Sequence, residues 1–176
     1  MLVNITGTQA RRAAGGRRER GVFLIEALIA ILIFSLGILS LVAIQTAAMS
    51  AQNDAQYRVE AANFTDQIMS QIWLNVKRNS GTIDTPSLEA FQHQATGAAS
   101  SCAFSGATSS VDPAKTLVGA WATSITHAGS GLPGSTDTMQ QIVVDSAGYN
   151  KVTVTVCWKS PLDAGPHSHT LVSFIN

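Results

Sequence analysis

The chain has 176 residues, 45% of them hydrophobic, with 11 basic and 11 acidic side chains. This length suits one ordinary domain plus an extended element and does not call for a second independent core. The basic residues are not interleaved with aromatic ones, which argues against a nucleic-acid-binding protein; a short arginine arm that contacts phosphates stays as the alternative.

The first 21 residues form a basic leader. They hold one acid, Glu19, and the leader has a side-chain charge of +4, whereas residues 22–176 carry a balance of −4. A formal net charge of zero therefore hides a strong asymmetry between the two parts of the chain. The leader's basic residues are five arginines: Arg11, Arg12, Arg17, Arg18 and Arg20.

Residues 22–44 form an apolar run that is long enough to cross a membrane. As a helix the run is about 34 Å long, against a hydrocarbon core of roughly 30 Å. Arginines precede the run directly and the next basic residue is Arg58. The positive-inside rule then predicts a single-pass inner-membrane protein with a cytoplasmic N-terminus and a periplasmic C-terminal part.

Two other kinds of segment share a basic start followed by an apolar run. A secretory signal peptide is disfavoured because the run is longer than 7–15 residues, lacks a small-x-small cleavage site and contains an acid. A permanently uncut membrane anchor is the stronger alternative.

Glu26 is the acid inside the apolar run. An ionised carboxylate in hydrocarbon costs at least a few kcal/mol on insertion scales, so Glu26 requires a partner or a route to water. One interpretation is that its side chain reaches the cytoplasmic headgroups. The functional interpretation is that Glu26 receives a positive group from another molecule packed in the membrane.

The stretch from Arg20 to Glu26, RGVFLIE, resembles the class III signal of type IV prepilins. The resemblance implies that a prepilin peptidase cuts between Gly21 and Val22 and methylates the new N-terminus at Val22. It also implies that Glu26 is a subunit-assembly residue. Val22 departs from the commonest pattern, which has phenylalanine as the first mature residue.

Residues 24–30 and 34–45 are similar to the start of PilV, a minor pilin family described as type IV pilus modification proteins. The resemblance implies an α+β pilin-like fold, with a leader (1–21), a transmembrane and filament-core helix (22–44), its amphipathic continuation (45–79) and an extracytoplasmic head (80–176). It implies a non-catalytic function in pilus assembly, priming or modification, and finally a location in the pilus at the cell surface.

The partners implied are the prepilin peptidase, other minor and major pilins, and the inner-membrane assembly platform. No cofactor and no nucleic acid are expected. Two alternatives stay open: a minor pseudopilin of a type II secretion system, and, in a different class, a membrane-anchored periplasmic binding protein or enzyme.

After the apolar run the helix is predicted to continue to about residue 78. Good helix formers fill this part, and no proline occurs before Pro86. Phe64, Ile68 and Ile72, like Met69, Trp73 and Val76, keep a three-to-four-residue spacing that is typical of a packed face. The turn residues at 79–81 are predicted to end the helix.

In the head, residues 80–111 are predicted to be an irregular connection with a short helix at 87–94. Asp112 is predicted to cap a helix that runs through about Thr126. Strands at 140–145, 151–159 and 170–175 are predicted to form an antiparallel meander. In the middle strand, alternation predicts that the side with Val152, Val154, Val156 and Trp158 packs on the long helix.

Cys102 and Cys157 are a single, well-separated pair. An oxidising space outside the membrane predicts a disulfide between them, with Cys157 on the sheet face opposite the valines. Two unrelated thiols in a reducing cytosol are the alternative.

Catalytic and metal residues are not predicted. His167 and His169 resemble half of a metal site, but Pro166 and Ser168 beside them favour a solvated loop. His93 and His127 are isolated, and the serines have no nucleophile-elbow pattern. The chain is therefore expected not to be an enzyme.

Overall fold

A computed structural model of the protein describes residues 20–161 and 163–176, with side chains from residue 22 onward. The predicted leader lies outside the described residues except for Arg20 and Gly21, which open the first helix. The chain divides into two compact units, Met1–Met49 and Ser50–Asn176. The architecture is α+β, with a long N-terminal helix and small antiparallel sheets.

Helix α1 spans Arg20–Asn75. Within residues 20–161 and 163–176 it is the one helix long and apolar enough to cross a membrane, and its most apolar 18-residue window has a mean hydropathy of 2.9. In the first unit its side chains are exposed all round, and none of that apolar window is buried within the protein. A surface of this kind is stable only against lipid or another protein.

The hydroxyl groups within the apolar run are satisfied by the helix itself. Ser35 donates to the carbonyl of Ile31 at 2.7 Å, and Ser40 donates to the carbonyl of Leu36 at 2.9 Å. Such bonds to the preceding turn allow serine to enter hydrocarbon at a small cost. An ionised Glu26 cannot make such a bond to a backbone carbonyl, because a carboxylate only accepts hydrogen bonds.

In the second unit, the latter part of α1 packs on the head through one stripe. Ile68, Met69 and Ile72 are buried, as the spacing predicted, and so is Val76, directly after the helix. Phe64 is half-buried, and Ala61, one turn earlier, is fully buried. Trp73 was placed in the same packed face but is 36% exposed. Its ring is instead covered by the guanidinium group of Arg78, 5.6 Å from the ring centroid.

Helix α1 ends at Asn75, three residues before the predicted end. The residues predicted to terminate the helix belong to a separate hairpin, in which β1 (Arg78–Asn79) pairs with β2 (Thr82–Ile83). Ser80 and Gly81 form its two-residue loop, with φ of 51° and 85°. Two successive positive φ values suit a hairpin loop, and this pairing takes the turn residues away from the helix.

Two short helices in the head also begin away from their predicted positions. Helix α2 covers Thr85–Glu89, not 87–94, because the Asp84 side chain accepts a hydrogen bond from the Ser87 amide and caps it. Helix α3 covers Ala114–Thr126 with Pro113 at its N-cap position. The predicted capping role of Asp112 is wrong, since its carboxylate accepts from the Thr116 hydroxyl at 2.7 Å.

The main sheet is the predicted antiparallel meander, β3 (Gln140–Asp145), β4 (Lys151–Trp158) and β5 (His167–Phe174). β4 ends one residue earlier than predicted, and β5 begins three residues earlier, because residues 167–169 pair with residues 156–158 of β4. The solvated loop predicted for His167 and His169 is therefore wrong, and both residues lie in a strand.

The two faces of β4 contact different hydrophobic groups. Its even-numbered residues from Val152 to Trp158 are fully buried in the main core, which also includes the α1 stripe and Trp121 and Ile125 of α3. On the opposite face Cys157 packs with Cys102, Phe104 and Met139 in a second, smaller cluster. The period-two pattern of β4 predicted this division.

Candidate functional site

The first candidate site is the start of α1. Val22 is 69% exposed, and Glu26, one helical turn later, is exposed as well. Residues four apart in a helix lie on the same face, so Val22 and Glu26 share one side of an apolar surface. Gly21, the other residue of the predicted cleavage point, lies in the same first turn.

Among the described side chains, 22–161 and 163–176, none forms a salt bridge with Glu26. The acid therefore faces the same environment as the apolar side chains around it. In a low dielectric an ionised carboxylate is stable when a positive group approaches it closely. The arrangement suits binding of a cation supplied by another molecule.

The second predicted site is the cysteine pair. Cys102 and Cys157 form a disulfide with Cα atoms 5.8 Å apart, and the bond closes a sequence separation of 55 residues. Both cysteines are buried, at 5% and 0% exposure. The bond ties the connection after α2 to the sheet face that is turned away from the main core.

Hydrogen bonds hold the same connection at other points. The Gln141 side-chain amide donates to the carbonyl of Gln94 at 3.1 Å, and the Gln94 amide donates to the carbonyl of Asp137 at 2.7 Å. His93 exchanges two backbone hydrogen bonds with Ile142 of β3. The predicted irregular connection is thus attached to the sheet along much of its length.

His167 takes part in a cluster that the sequence did not predict. Its ring stacks on Trp158 with centroids 5.8 Å apart, and Nε2 lies 3.2 Å from an oxygen of Asp163. Nδ1 lies 3.9 Å from Oδ1 of Asp54, which is longer than a hydrogen bond. The other oxygen of Asp54, Oδ2, accepts a hydrogen bond from Arg58 at 3.0 Å. Asp54 is more than a hundred positions away in the sequence, so no local pattern reveals this contact.

The described part of the chain does not assemble a group of three or more His, Cys, Asp or Glu side chains that could hold a metal ion. A cavity of about 250 Å³ lies between the end of α1, α2 and the start of α3. Its two carboxylates, Asp84 and Asp112, are both engaged at helix starts. Both carboxylates of this cavity thus already accept a hydrogen bond from the head itself.

Buried His93 predicts a pH-dependent stability of the head. The residue is 7% exposed, neither ring nitrogen has a hydrogen-bond partner among the residues that the structure describes, and burial lowers its pKa below 6.5. As pH falls below 6.5 the unfolded chain takes up a proton that the folded chain resists. Stability should therefore decrease toward acid, by at most about 1.4 kcal/mol per pH unit from this residue.

Urea unfolding of the full chain in detergent micelles at pH 7.5 and pH 5 measures this effect. The His93→Leu variant should lose less stability than the wild type between the two pH values. The exposed residue His127 provides the control, and His127→Leu should keep the wild-type dependence. Equal pH dependence in His93→Leu and wild type would contradict the prediction.

The chain thus presents an exposed apolar helix with an acid one turn after Val22, and a separate head closed by a disulfide. The first feature suits packing against other molecules in a membrane. The disulfide of the head suits an oxidising compartment. Comparisons with protein-family models, with curated proteins and with solved structures find no match to this chain.

Proposed function

We propose that this chain is a minor-pilin-like subunit, made as a membrane-inserted precursor and packed by its N-terminal helix into a type IV pilus or a related filament. The observation that carries the proposal is the placement of Gly21, Val22 and Glu26 at the start of an exposed apolar helix. A basic leader directly before this point and a disulfide-closed head after it fit the same function.

The physical basis is the neutralisation of one charge by another. Cleavage after Gly21 releases an amine at Val22, and this amine lies one helical turn before Glu26 of the same chain. When neighbouring subunits stack their apolar helices, the amine of one approaches Glu26 of another in a low dielectric. In a low dielectric an unpaired charge has a high free energy, whereas a paired one is tolerated. Because the amine and Glu26 must lie close together to pair, pairing also selects one axial offset between subunits.

The head, in this proposal, has a structural and binding role and no catalytic one. The chain would join the filament in small numbers, together with other minor and major pilins, at the inner-membrane assembly platform. The resemblance to the PilV family supports a place in assembly, priming or modification of the pilus.

The mass of the mature chain tests the proposal. Intact-mass measurement should give a chain that begins at Val22 in cells with the prepilin peptidase, and a full-length chain in cells without it. A Gly21→Leu variant should stay full-length, whereas Gly16→Leu, a matched change inside the leader, should be cut normally. An uncut N-terminus in peptidase-containing cells would favour a permanent membrane anchor and contradict the filament function.

A rescue assay separates the pilus from the related secretion filament. A deletion strain complemented with the chain should regain twitching motility, and protein secretion should not change. Rescue of secretion without rescue of twitching would assign the chain to a type II pseudopilus.

A further inference from the structure

Strand β5 is an edge of the main sheet. It pairs with β4 on one side, and no strand within residues 20–161 and 163–176 pairs with its other side. The opposite edge is different, because Ile142 of β3 exchanges hydrogen bonds of 2.9 and 3.0 Å with the backbone of His93. An unpaired edge presents a row of backbone donors and acceptors to any extended chain that approaches it.

The hydrogen bonds of β4 show which backbone groups of β5 point outward. The Cys157 amide donates to the carbonyl of Met139, on the β3 side, at 2.9 Å. In antiparallel pairs the direction of the backbone groups alternates from one residue to the next. The odd-numbered residues of β4 are therefore directed toward β3, and the even-numbered ones from Val152 to Trp158 toward β5.

The register then divides β5 into two sets. The partners of the even-numbered β4 residues, His167, His169, Leu171 and Ser173, use their backbone groups within the sheet. The Ile175 amide follows the same alternation and donates to Asn150 on the β4 side at 3.1 Å. The other set points away from the sheet, and we call it the outward row: Ser168, Thr170, Val172 and Phe174.

The outward row is open to solvent. All four side chains are exposed, and the two apolar ones, Val172 and Phe174, are 50% and 49% exposed. The row contains no charged residue and no proline, which are the usual protections of a sheet edge. The row ends at Phe174, and two residues later a backbone oxygen of Asn176 accepts a hydrogen bond from Arg78 at 3.3 Å.

We propose that the outward row of β5 is a docking site for an extended segment of a different protein chain, which adds to the sheet as a further strand. Its backbone would supply the hydrogen bonds that the outward row lacks. Its side chains would be uncharged, apolar opposite Val172 and Phe174, and hydroxyl-bearing or small opposite Ser168 and Thr170. The site lies wholly in the head, so it does not depend on leader cleavage or on Glu26.

A second copy of this chain fits the row less well. Antiparallel pairing of two outward rows, in the register that uses all four residues, places Phe174 opposite Ser168 and Val172 opposite Thr170. Each exposed apolar side chain would then face a hydroxyl group. A different strand with apolar residues at the matching positions covers more apolar area, which favours a heterologous partner.

Amide hydrogen exchange of the full chain in detergent micelles tests the site. The probe is a synthetic nine-residue peptide, Lys-Val-Thr-Val-Thr-Thr-Thr-Ser-Lys, which in antiparallel pairing places its valines opposite Val172 and Phe174 and its hydroxyl side chains opposite Ser168 and Thr170. The control peptide has proline at its fourth and sixth positions. The first peptide should slow exchange of the four outward-row amides by on the order of tenfold or more. The four alternate amides, already bonded to β4, should not change, and the proline peptide should protect none.

Matched variants separate the backbone from the side chain. Val172→Pro removes one outward donor and no ladder bond, so it should abolish protection by the peptide, while Val172→Thr should keep it. Slow exchange at the Ile142 amide, which is bonded to His93, reports that the head stays folded.

Two results would overturn the proposal. One is the absence of peptide protection at the outward row in the wild-type chain. The other is protection that rises with the concentration of the chain alone, because this result would identify the occupant as a second copy. The mass of the mature N-terminus is unaffected by either result, so the filament proposal is tested separately.

Discussion

Replacing Glu26 by alanine is expected to reduce incorporation of the chain into filaments by tenfold or more. The reason is that the new amine of a neighbouring subunit would then enter a low dielectric without a partner. A charge at a helix centre in a membrane costs at least about 2.5 kcal/mol on insertion scales, and about 1.4 kcal/mol already corresponds to tenfold in an equilibrium. Immunoblots of sheared filaments and of membranes from the same cells measure the ratio.

Asp66→Ala is the matched control for this experiment. Asp66 is an exposed acid of the same helix, in the unit formed by Ser50–Asn176, and its loss should leave incorporation unchanged. Glu26→Ala should keep normal membrane levels and an intact Cys102–Cys157 disulfide, because the head lies in the other unit. Undiminished incorporation of Glu26→Ala would remove the assembly role of this acid.

Removing the disulfide is expected to destabilise the head by about 4 kcal/mol. In the chain-entropy model this is the effect of releasing a loop of the observed length, 55 residues. The double variant Cys102→Ala and Cys157→Ala is preferred to serine, because both positions are buried and a hydroxyl there would need a hydrogen-bond partner. Denaturant unfolding of the full chain in micelles, followed by fluorescence of buried Trp121 and Trp158, measures the loss.

Reduction of the wild-type chain provides the control. Dithiothreitol should lower wild-type stability by a similar amount and should have no effect on the double variant. A loss below about 1 kcal/mol in the double variant would contradict the entropic account. It would mean that residual structure already restricts this connection in the unfolded ensemble, so that the disulfide removes little entropy there.

The sequence predicted the parts of the fold that depend on local pattern. An all-round apolar run predicted a long helix with an exposed first part, and α1 has that form from Arg20 onward. Alternation of valine with polar residues predicted both the face of β4 that enters the core and the opposite position of Cys157. These features follow from helix and strand periods, which tertiary contacts did not alter here.

Element ends were less predictable, because competing hydrogen bonds decide them. The turn residues Ser80 and Gly81 predict a helix end, but pairing between residues 78–79 and 82–83 places them in the loop of a hairpin. Asp112 has the residue type of a helix cap, yet the Thr116 hydroxyl binds its carboxylate. In both cases the residue type is compatible with two sets of hydrogen bonds, and tertiary contacts decide which set forms.

The sequence alone determined the basic segment before Val22 and the isolated acid Glu26 in an apolar run, since each depends on residues adjacent in the chain. The cleavage point between Gly21 and Val22 stays a prediction from the same residues. The contact of His167 with Asp54, the isolation of the His93 ring and the outward row of β5 were decided by tertiary structure. They depend on which distant segments meet and which strand has no neighbour. Local composition does not reveal these features, because the residues of β5 would form backbone hydrogen bonds on both sides if the strand lay in the middle of the sheet.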